Sequence, residues 1–222
     1  MAQIDQSRAE FEPSEVLDFW FPDTGHWTAP ETHAAFWDQR MQGGMDADII
    51  ARFAALTLAA ATGRLDHWTE TPRGRLALLI ALDQFPRSLW RDTPAAFAQD
   101  IKAARLAEDG IRNGDFDGLA AWEQTFFVIS IGHCEGPDHL ERMHRHRATV
   151  EKIAANLPAQ LAPMADRLRA QHELVTTNIA RFGRHPHRNA TLGRPSSEVE
   201  ATYIATGDFP HLRKVTAPQT AG

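Results

Sequence analysis

The residues best suited to chemistry are concentrated in one stretch, residues 181–194, which holds four arginines and two histidines but no acidic residue. The whole chain carries a formal net charge of -6, so an acidic partner must balance these cations. Gly183 and Pro186 shape the stretch into fixed turns, which favours an ordered site over a solvated patch. Guanidinium groups held in this way bind phosphate or carboxylate through paired N–H donors. Five residues of the stretch are therefore predicted to bind a ligand: Arg181, Arg184, His187, Arg188 and Asn189.

A second polar group, Asp83, Gln84 and Arg87, follows an apolar helix over residues 76–82. Pro86 interrupts that helix and should bias Phe85 away from helical geometry, which places Asp83 in the last turn. A carboxylate there faces the negative end of the helix dipole, at a cost of about 0.3–1 kcal/mol, and burial adds more. Asp83 therefore needs an arginine. The pair is either part of a ligand site or a buried link between helices, and the sequence leaves both alternatives open.

The third group is His133 with Glu135, directly after a glycine break in an apolar helix. A histidine beside a carboxylate suits general acid–base work, so His133, Glu135 and Asp83 are the predicted catalytic residues. The alternative is that His133 only caps the helix and Glu135 only begins a loop. Histidines and arginines also recur over residues 139–147, but without metal-ligand spacing, so neither a metal nor another cofactor is predicted.

Helices must position these groups, because strand signals are nearly absent and helix signals recur throughout the chain. We predict an all-α fold, an array of about nine short helices joined by brief loops. No repeated sequence unit is apparent. The predicted helices span residues 13–21, 31–41, 46–62, 72–84, 95–111, 119–131, 138–155, 163–181 and 198–205.

Length and composition define the class of protein. With 222 residues, 43% hydrophobic and 23% charged, the chain fits a single globular unit. We predict an N-terminal extension over 1–13, one helical domain over 14–212 and a disordered tail over 213–222. No apolar run approaches the roughly 20 residues of a bilayer span and no signal pattern begins the chain, so no membrane association and a cytoplasmic location are predicted. One cysteine, Cys134, excludes an intramolecular disulfide, and the acidic balance disfavours a nucleic-acid partner.

Four blocks carry a resemblance to a known family: residues 16–21, residues 83–87, His133 with Glu135, and residues 182–189 followed by Gly193 and Arg194. Together, and in this order, they resemble the bacterial DUF924 family of unknown function over about residues 14–210. The resemblance implies an all-helical fold similar to the right-handed tetratricopeptide-like superhelices, and it implies no established activity. Two positions depart from the family pattern: Ser88 replaces the usual asparagine, and Cys134 replaces the usual serine, which argues against a cysteine nucleophile.

Three hypotheses for function follow. In the first, the predicted residues converge on one cleft that binds a small anionic molecule, and His133 with Glu135 or Asp83 transfers protons in a hydrolase-like or transferase-like reaction. In the second, the helical array binds a protein or peptide partner in a shallow groove. In the third, the polar residues only fix the helix packing. Arginines without internal carboxylate partners would favour the first hypothesis, whereas arginines that are already paired would count against it. The oligomeric state is left open.

Overall fold

The computed structural model describes residues 10–207, and within this range the chain is all-helical, without a strand. The all-α prediction is confirmed. Nine of the eleven α-helices in the described part have at least eight residues, which agrees with the predicted number. They are α1 (Pro13–Trp20), α2 (Pro30–Met41), α3 (Asp46–Ala61), α4 (Pro72–Asp83), α5 (Pro86–Leu89), α6 (Asp100–Asn113), α7 (Ala121–His133), α8 (His139–Arg145), α9 (Arg147–Asn156), α10 (Pro163–Phe182) and α11 (Glu198–Ala205). The predicted tail, residues 213–222, lies outside the described residues.

Helix α4 is the centre of the fold. Thr71 caps it by accepting a hydrogen bond from the Gly74 amide at 3.1 Å, and Pro72 is its first residue. Every residue from Gly74 to Asp83 is buried, because α1, α3, α6 and α7 all pack around this helix. Burial of each large apolar side chain here contributes about 1.5–3 kcal/mol. The central buried helix predicted from its all-round apolar sequence is confirmed.

Aromatic side chains join α1, α3 and α7 to the end of α4. The Phe85 ring lies 4.8 Å from that of Phe53 and 6.0 Å from that of Trp20, and Trp20 lies 6.0 Å from Phe126. Such tilted and edge-on pairs stabilise packing beyond their buried area. They hold the polar end of α4 in a fixed position.

Several local expectations need correction. Phe85 has helical angles, φ -64° and ψ -38°, because Pro86 begins the new helix α5 instead of ending regular structure. Residues Pro94–Phe97 form a separate 3-10 turn, so α6 begins at Asp100 and not near residue 95. The helix expected over 138–155 is divided at His146 into α8 and α9, and α7 continues past Gly132 to His133.

The second half of the chain completes the fold through α10, which packs against α8 and α9. Helix α10 ends at Gly183, whose φ of 68° is readily adopted by a residue without a Cβ. A 3-10 turn, Pro186–Arg188, follows and brings the arginine-rich stretch back toward α7. Among residues 10–207, no helix is long and apolar enough to cross a bilayer. The cytoplasmic location stays a prediction.

Candidate functional site

A cavity of about 630 Å³ that opens to solvent is lined by α2, α5, α7 and α10 and by the 3-10 turns at Pro94–Phe97 and Pro186–Arg188. This volume is typical of sites for small molecules. Much of its wall is apolar and largely aromatic. That part is formed by Trp20, Trp37, Phe97, Trp122, Phe126, Ile129, Leu157, Met164 and Leu168.

Half of the predicted site residues form a polar wall of the same cavity: Gln84, Arg87, His133, His187 and Arg188. Local structure explains each position. Gln84 is the C-cap of α4, Arg87 is the second residue of α5, and His133 ends α7. The last two lie in the Pro186–Arg188 turn, where proline begins the 3-10 geometry. The structure thus brings residues separated by up to about a hundred positions to one surface.

His133 is held by Asp83, which lies directly behind the polar wall. The His133 Nδ1 atom is 2.8 Å from Asp83 Oδ1 and 3.1 Å from Oδ2, and both side chains are buried. Since a carboxylate accepts, Nδ1 carries the proton and Nε2 carries the basic lone pair. Burial, together with the nearby charges of Arg87 and Arg188, lowers the pKa of His133 well below its usual value. The imidazole is therefore neutral at pH 7.

Asp100 links the two arginines of the polar wall. Arg87 Nη2 donates to Asp100 Oδ1 at 2.9 Å, and Arg188 Nη1 donates to Asp100 Oδ2 at 2.9 Å. Arg188 Nη1 also donates to the His133 carbonyl oxygen at 2.9 Å, and Arg87 lies 3.3 Å from Asp83 Oδ1. The two arginines thus face two aspartates, and the formal charge of this network is zero.

Sequence reasoning missed Asp100. It is the first residue of α6, where an acidic residue is usually explained by the helix dipole alone. The sequence does not show that Asp100 is buried. Its side chain is only 6% exposed, whereas an acid that only stabilises the helix dipole can stay on the surface. Cys134, by contrast, behaves as expected. It is buried, and burial raises the pKa of its thiol, so it is a poor nucleophile.

Four other predicted site residues do not line the cavity. Glu135 does not form the expected pair with His133. Its Oε2 accepts from Arg194 Nη1 at 2.5 Å, and its Oε1 accepts from the His185 amide at 2.7 Å. Asn189 is buried and bonds Ser196 at 3.0 Å and Arg194 at 3.1 Å. These contacts hold the loop after α10 in place.

Arg184 and Arg181 also lie outside the cavity. Arg184 binds both carboxylate oxygens of Glu200, at 2.7 and 2.9 Å, and so links the loop to α11. Arg181 is exposed and lies over the Phe182 ring, 4.8 Å from its centroid. Three of the four arginines in residues 181–194 are thus paired with the protein's own carboxylates. This pairing counts against the stretch as the binding site of an external anion.

A histidine pair that sequence reasoning missed lies at another part of the cavity, where His33 lines the wall and contacts His26. Trp37 Nε1 donates to His33 Nε2 at 3.1 Å, so the His33 proton is on Nδ1 and points to His26 Nδ1, 3.0 Å away. His26 must then carry its proton on Nε2, which is buried and has no partner among the described residues. Burial lowers the pKa of His26 to about 4, and the nearby His33 and Arg40 contribute to this decrease. The pair is neutral, since burial also lowers the pKa of His33.

Comparison with known proteins supports the resemblance seen in the sequence. A family model described as "bacterial protein of unknown function (DUF924)" matches residues 16–208. A solved structure of "protein of unknown function ATU0120" from Agrobacterium tumefaciens is 29% identical, with a TM-score of 0.63, and the match covers 88% of this chain and 97% of that chain. Among curated proteins, nothing matches. Because neither description includes an activity, function must be argued from the cavity.

Proposed function

The chain belongs to the DUF924 family of bacterial proteins of unknown function, and we propose that it binds a small molecule in this cavity and transfers protons to and from it through His133. One observation carries the proposal: His133, held by the buried Asp83 behind it, lines a cavity of about 630 Å³ whose wall combines polar side chains with an apolar part that includes Trp20, Trp37 and Phe126. Large apolar pockets with a few convergent polar groups are the usual form of small-molecule sites.

His133 acts as a general base in this proposal. Its neutral ring presents the lone pair on Nε2, while Asp83 accepts the Nδ1 proton and keeps the ring in that tautomer. When Nε2 takes a proton, the Asp83 carboxylate stabilises the imidazolium that forms. Arg87 lies 3.3 Å from Asp83 Oδ1, the oxygen that His133 also contacts, and helps to keep the carboxylate in place. A base positioned in this way contributes about 10²- to 10⁴-fold to a rate.

The charge balance of the polar wall indicates the kind of group that reacts there. Arg87 and Arg188 are matched by Asp83 and Asp100, so this wall offers no excess positive charge for a free phosphate. An uncharged acyl, ester or amide group fits such a dipolar surface better. We therefore propose a hydrolase-like or transferase-like reaction on an uncharged polar group that is attached to an apolar body.

The cavity also separates this proposal from peptide binding. A peptide is usually bound along an extended groove, whereas the polar wall and the apolar wall here converge on one cavity of about 630 Å³, a volume that suits a small molecule. The loop contacts of Glu135, Arg184 and Asn189 fit the structural alternative, so the predicted residues divide between two roles.

The test combines binding with turnover. The neutral fluorescent dye N-phenyl-1-naphthylamine reports on the cavity, and mass spectrometry follows a panel of aromatic and aliphatic esters, amides and phosphate esters. We expect His133→Gln to bind the dye normally but to lose about 10²- to 10⁴-fold in rate on the ester or amide that the wild type converts. The exposed residue Arg181, replaced by alanine, is the control and should change neither measurement.

Two outcomes contradict the proposal. An unchanged rate in His133→Gln shows that this histidine is not the base. A dye that does not bind the wild type shows that the cavity is not a ligand site.

A further inference from the structure

Arg40 differs from the other buried arginines of this protein. Within residues 10–207, four arginines are buried, and three of them pair with an aspartate. These are Arg75 with Asp115, Arg142 with Asp138, and Arg188 with Asp100. Arg40, in the last turn of α2, makes no ion pair with any described residue, although it is only 8% exposed.

The contacts of Arg40 leave part of its guanidinium group unused. Its Nε donates to the Trp20 carbonyl oxygen at 3.1 Å, and the group lies over the Phe36 ring, 3.6 Å from the centroid. The two terminal nitrogens donate no hydrogen bond to any described residue. Arg40 lines the same cavity as His133. The nearest acid along the chain, Asp38, is exposed and bonds Arg167 at 3.0 Å.

A buried cation without a counterion is unfavourable, which is why buried arginines are normally paired. Burial lowers the pKa of Arg40 to about 10, yet the group is still charged at pH 7. Arg40 therefore places a positive charge at the cavity wall that has no ion pair with any described residue. The protein supplies no carboxylate to Arg40 within the described range, so an anion that enters the cavity would complete the pair.

We propose that Arg40 binds the carboxylate of a monoanionic ligand whose apolar body packs against Trp20, Trp37 and Phe126. This inference rests on the proposed function, because it requires a ligand in the cavity. With Nε already bonded, the two terminal nitrogens present a pair of donors that matches the two oxygens of a carboxylate. A dianionic phosphate would leave one negative charge unmatched, since His33, which lines the same cavity, is neutral.

The substrate class follows from the two polar parts of one cavity. Arg40 would hold a carboxylate, and His133 would act on a second, uncharged polar group of the same molecule. The expected substrate is thus an apolar carboxylic acid that also bears an ester, an amide or a related group. This proposal places the anion site at Arg40 in α2, and not in the arginine-rich stretch over residues 181–194.

The experiment measures displacement of N-phenyl-1-naphthylamine at about pH 7.5 by three compounds that share one apolar body: 4-phenylbutyrate, its neutral amide 4-phenylbutanamide, and 3-phenylpropyl phosphate, which is mostly dianionic at that pH. We expect the wild type to bind the acid about 10- to 100-fold more tightly than the amide, the range expected for hydrogen bonds to a charged group. In Arg40→Met this preference should disappear while the affinity for the amide is kept. Arg167→Met removes an exposed arginine from the same cavity and should keep the preference.

Several results would overturn the inference. If the wild type binds the acid and the amide equally well, the inference is wrong. This comparison needs no variant, so it remains valid even if Arg40→Met does not fold. A preference that survives in Arg40→Met, or a phosphate ester that binds more tightly than the acid, also contradicts the inference. If the dye binds but the acid has no advantage, only this inference fails. If the dye does not bind, the proposed function fails with it.

Discussion

Replacement of Arg40 by methionine should leave the free energy of unfolding within about 1 kcal/mol of the wild type, although the residue is buried. Burial lowers the pKa of Arg40 to about 10, and at about 1.36 kcal/mol for each pKa unit this decrease corresponds to a cost of about 3 kcal/mol for the buried charge. The hydrogen bond to the Trp20 carbonyl and the contact with Phe36 offset that cost, at about 1.5–3 and 0.5–2 kcal/mol. Methionine removes both the cost of the buried charge and the two contacts that offset it, and it keeps the apolar packing of the side chain.

The same replacement at Arg188 should destabilise the protein by about 3 kcal/mol. Arg188 donates to Asp100 and to the His133 carbonyl, and both acceptors are buried. Removal of one partner of a buried pair typically costs about 3–5 kcal/mol, and Arg87, which still contacts Asp100, keeps the loss near the lower end. The contrast between the two variants tests whether Arg40 serves a ligand or the fold.

Equilibrium unfolding in urea at pH 7, followed by tryptophan fluorescence, measures both variants, and the exposed variant Arg181→Met serves as the control. The expected result is a midpoint near that of the wild type for Arg40→Met and a clearly lower midpoint for Arg188→Met, with unchanged slopes. If both variants lose the same stability, Arg40 has a compensating partner in the folded protein, and the reasoning about an uncompensated charge is refuted.

Three further predictions follow. His26 and His139 have pKa values lowered to about 4, mainly by burial, so the unfolded chain binds more protons between about pH 6.5 and pH 4. The free energy of unfolding should therefore fall as the pH decreases through this window, by up to about 1.4 kcal/mol per pH unit for each histidine. Urea titrations at several pH values from about pH 7 to about pH 4.5 measure this slope. A free energy of unfolding that does not change with pH contradicts the reasoning. Arg184→Ala should lower the urea midpoint only slightly in the same assay, because the Glu200 ion pair that is lost is partly exposed to solvent, and it should not change dye binding; weaker dye binding would place Arg184 at the cavity. Asp83→Asn should reduce turnover by about 10²- to 10⁴-fold at unchanged dye affinity, and a wild-type rate would exclude Asp83 from positioning the base.

Local signals predicted much of the fold. Thr71 with Pro72 begins α4, Gly183 ends α10, and Ser197 accepts from the Glu200 amide at 3.3 Å in the capping box of α11, all as expected from sequence. These signals act within one or two turns of a helix, so neighbouring residues are enough to specify them. The predicted helix boundaries were wrong at Pro94–Phe97 and at His146, because a short turn and a regular helix have similar composition there.

The candidate site was only half predictable. The residue types were correct, and five of the ten predicted residues line one cavity. The sequence did not show which acid faces which base. His133 pairs with Asp83, 50 positions away, and Glu135, only two positions from His133, pairs with Arg194.

Sequence alone determined the helices, the buried central helix and the polar residue types available for chemistry, because these depend on local spacing and side-chain character. Tertiary structure decided which residues meet. An arginine has the same charge and donors wherever it stands, and only packing of distant helices determines whether a carboxylate comes within reach. Packing gave Arg188 the carboxylate of Asp100, 88 positions earlier in the chain, and left Arg40 without a carboxylate among the described residues at the wall of the cavity.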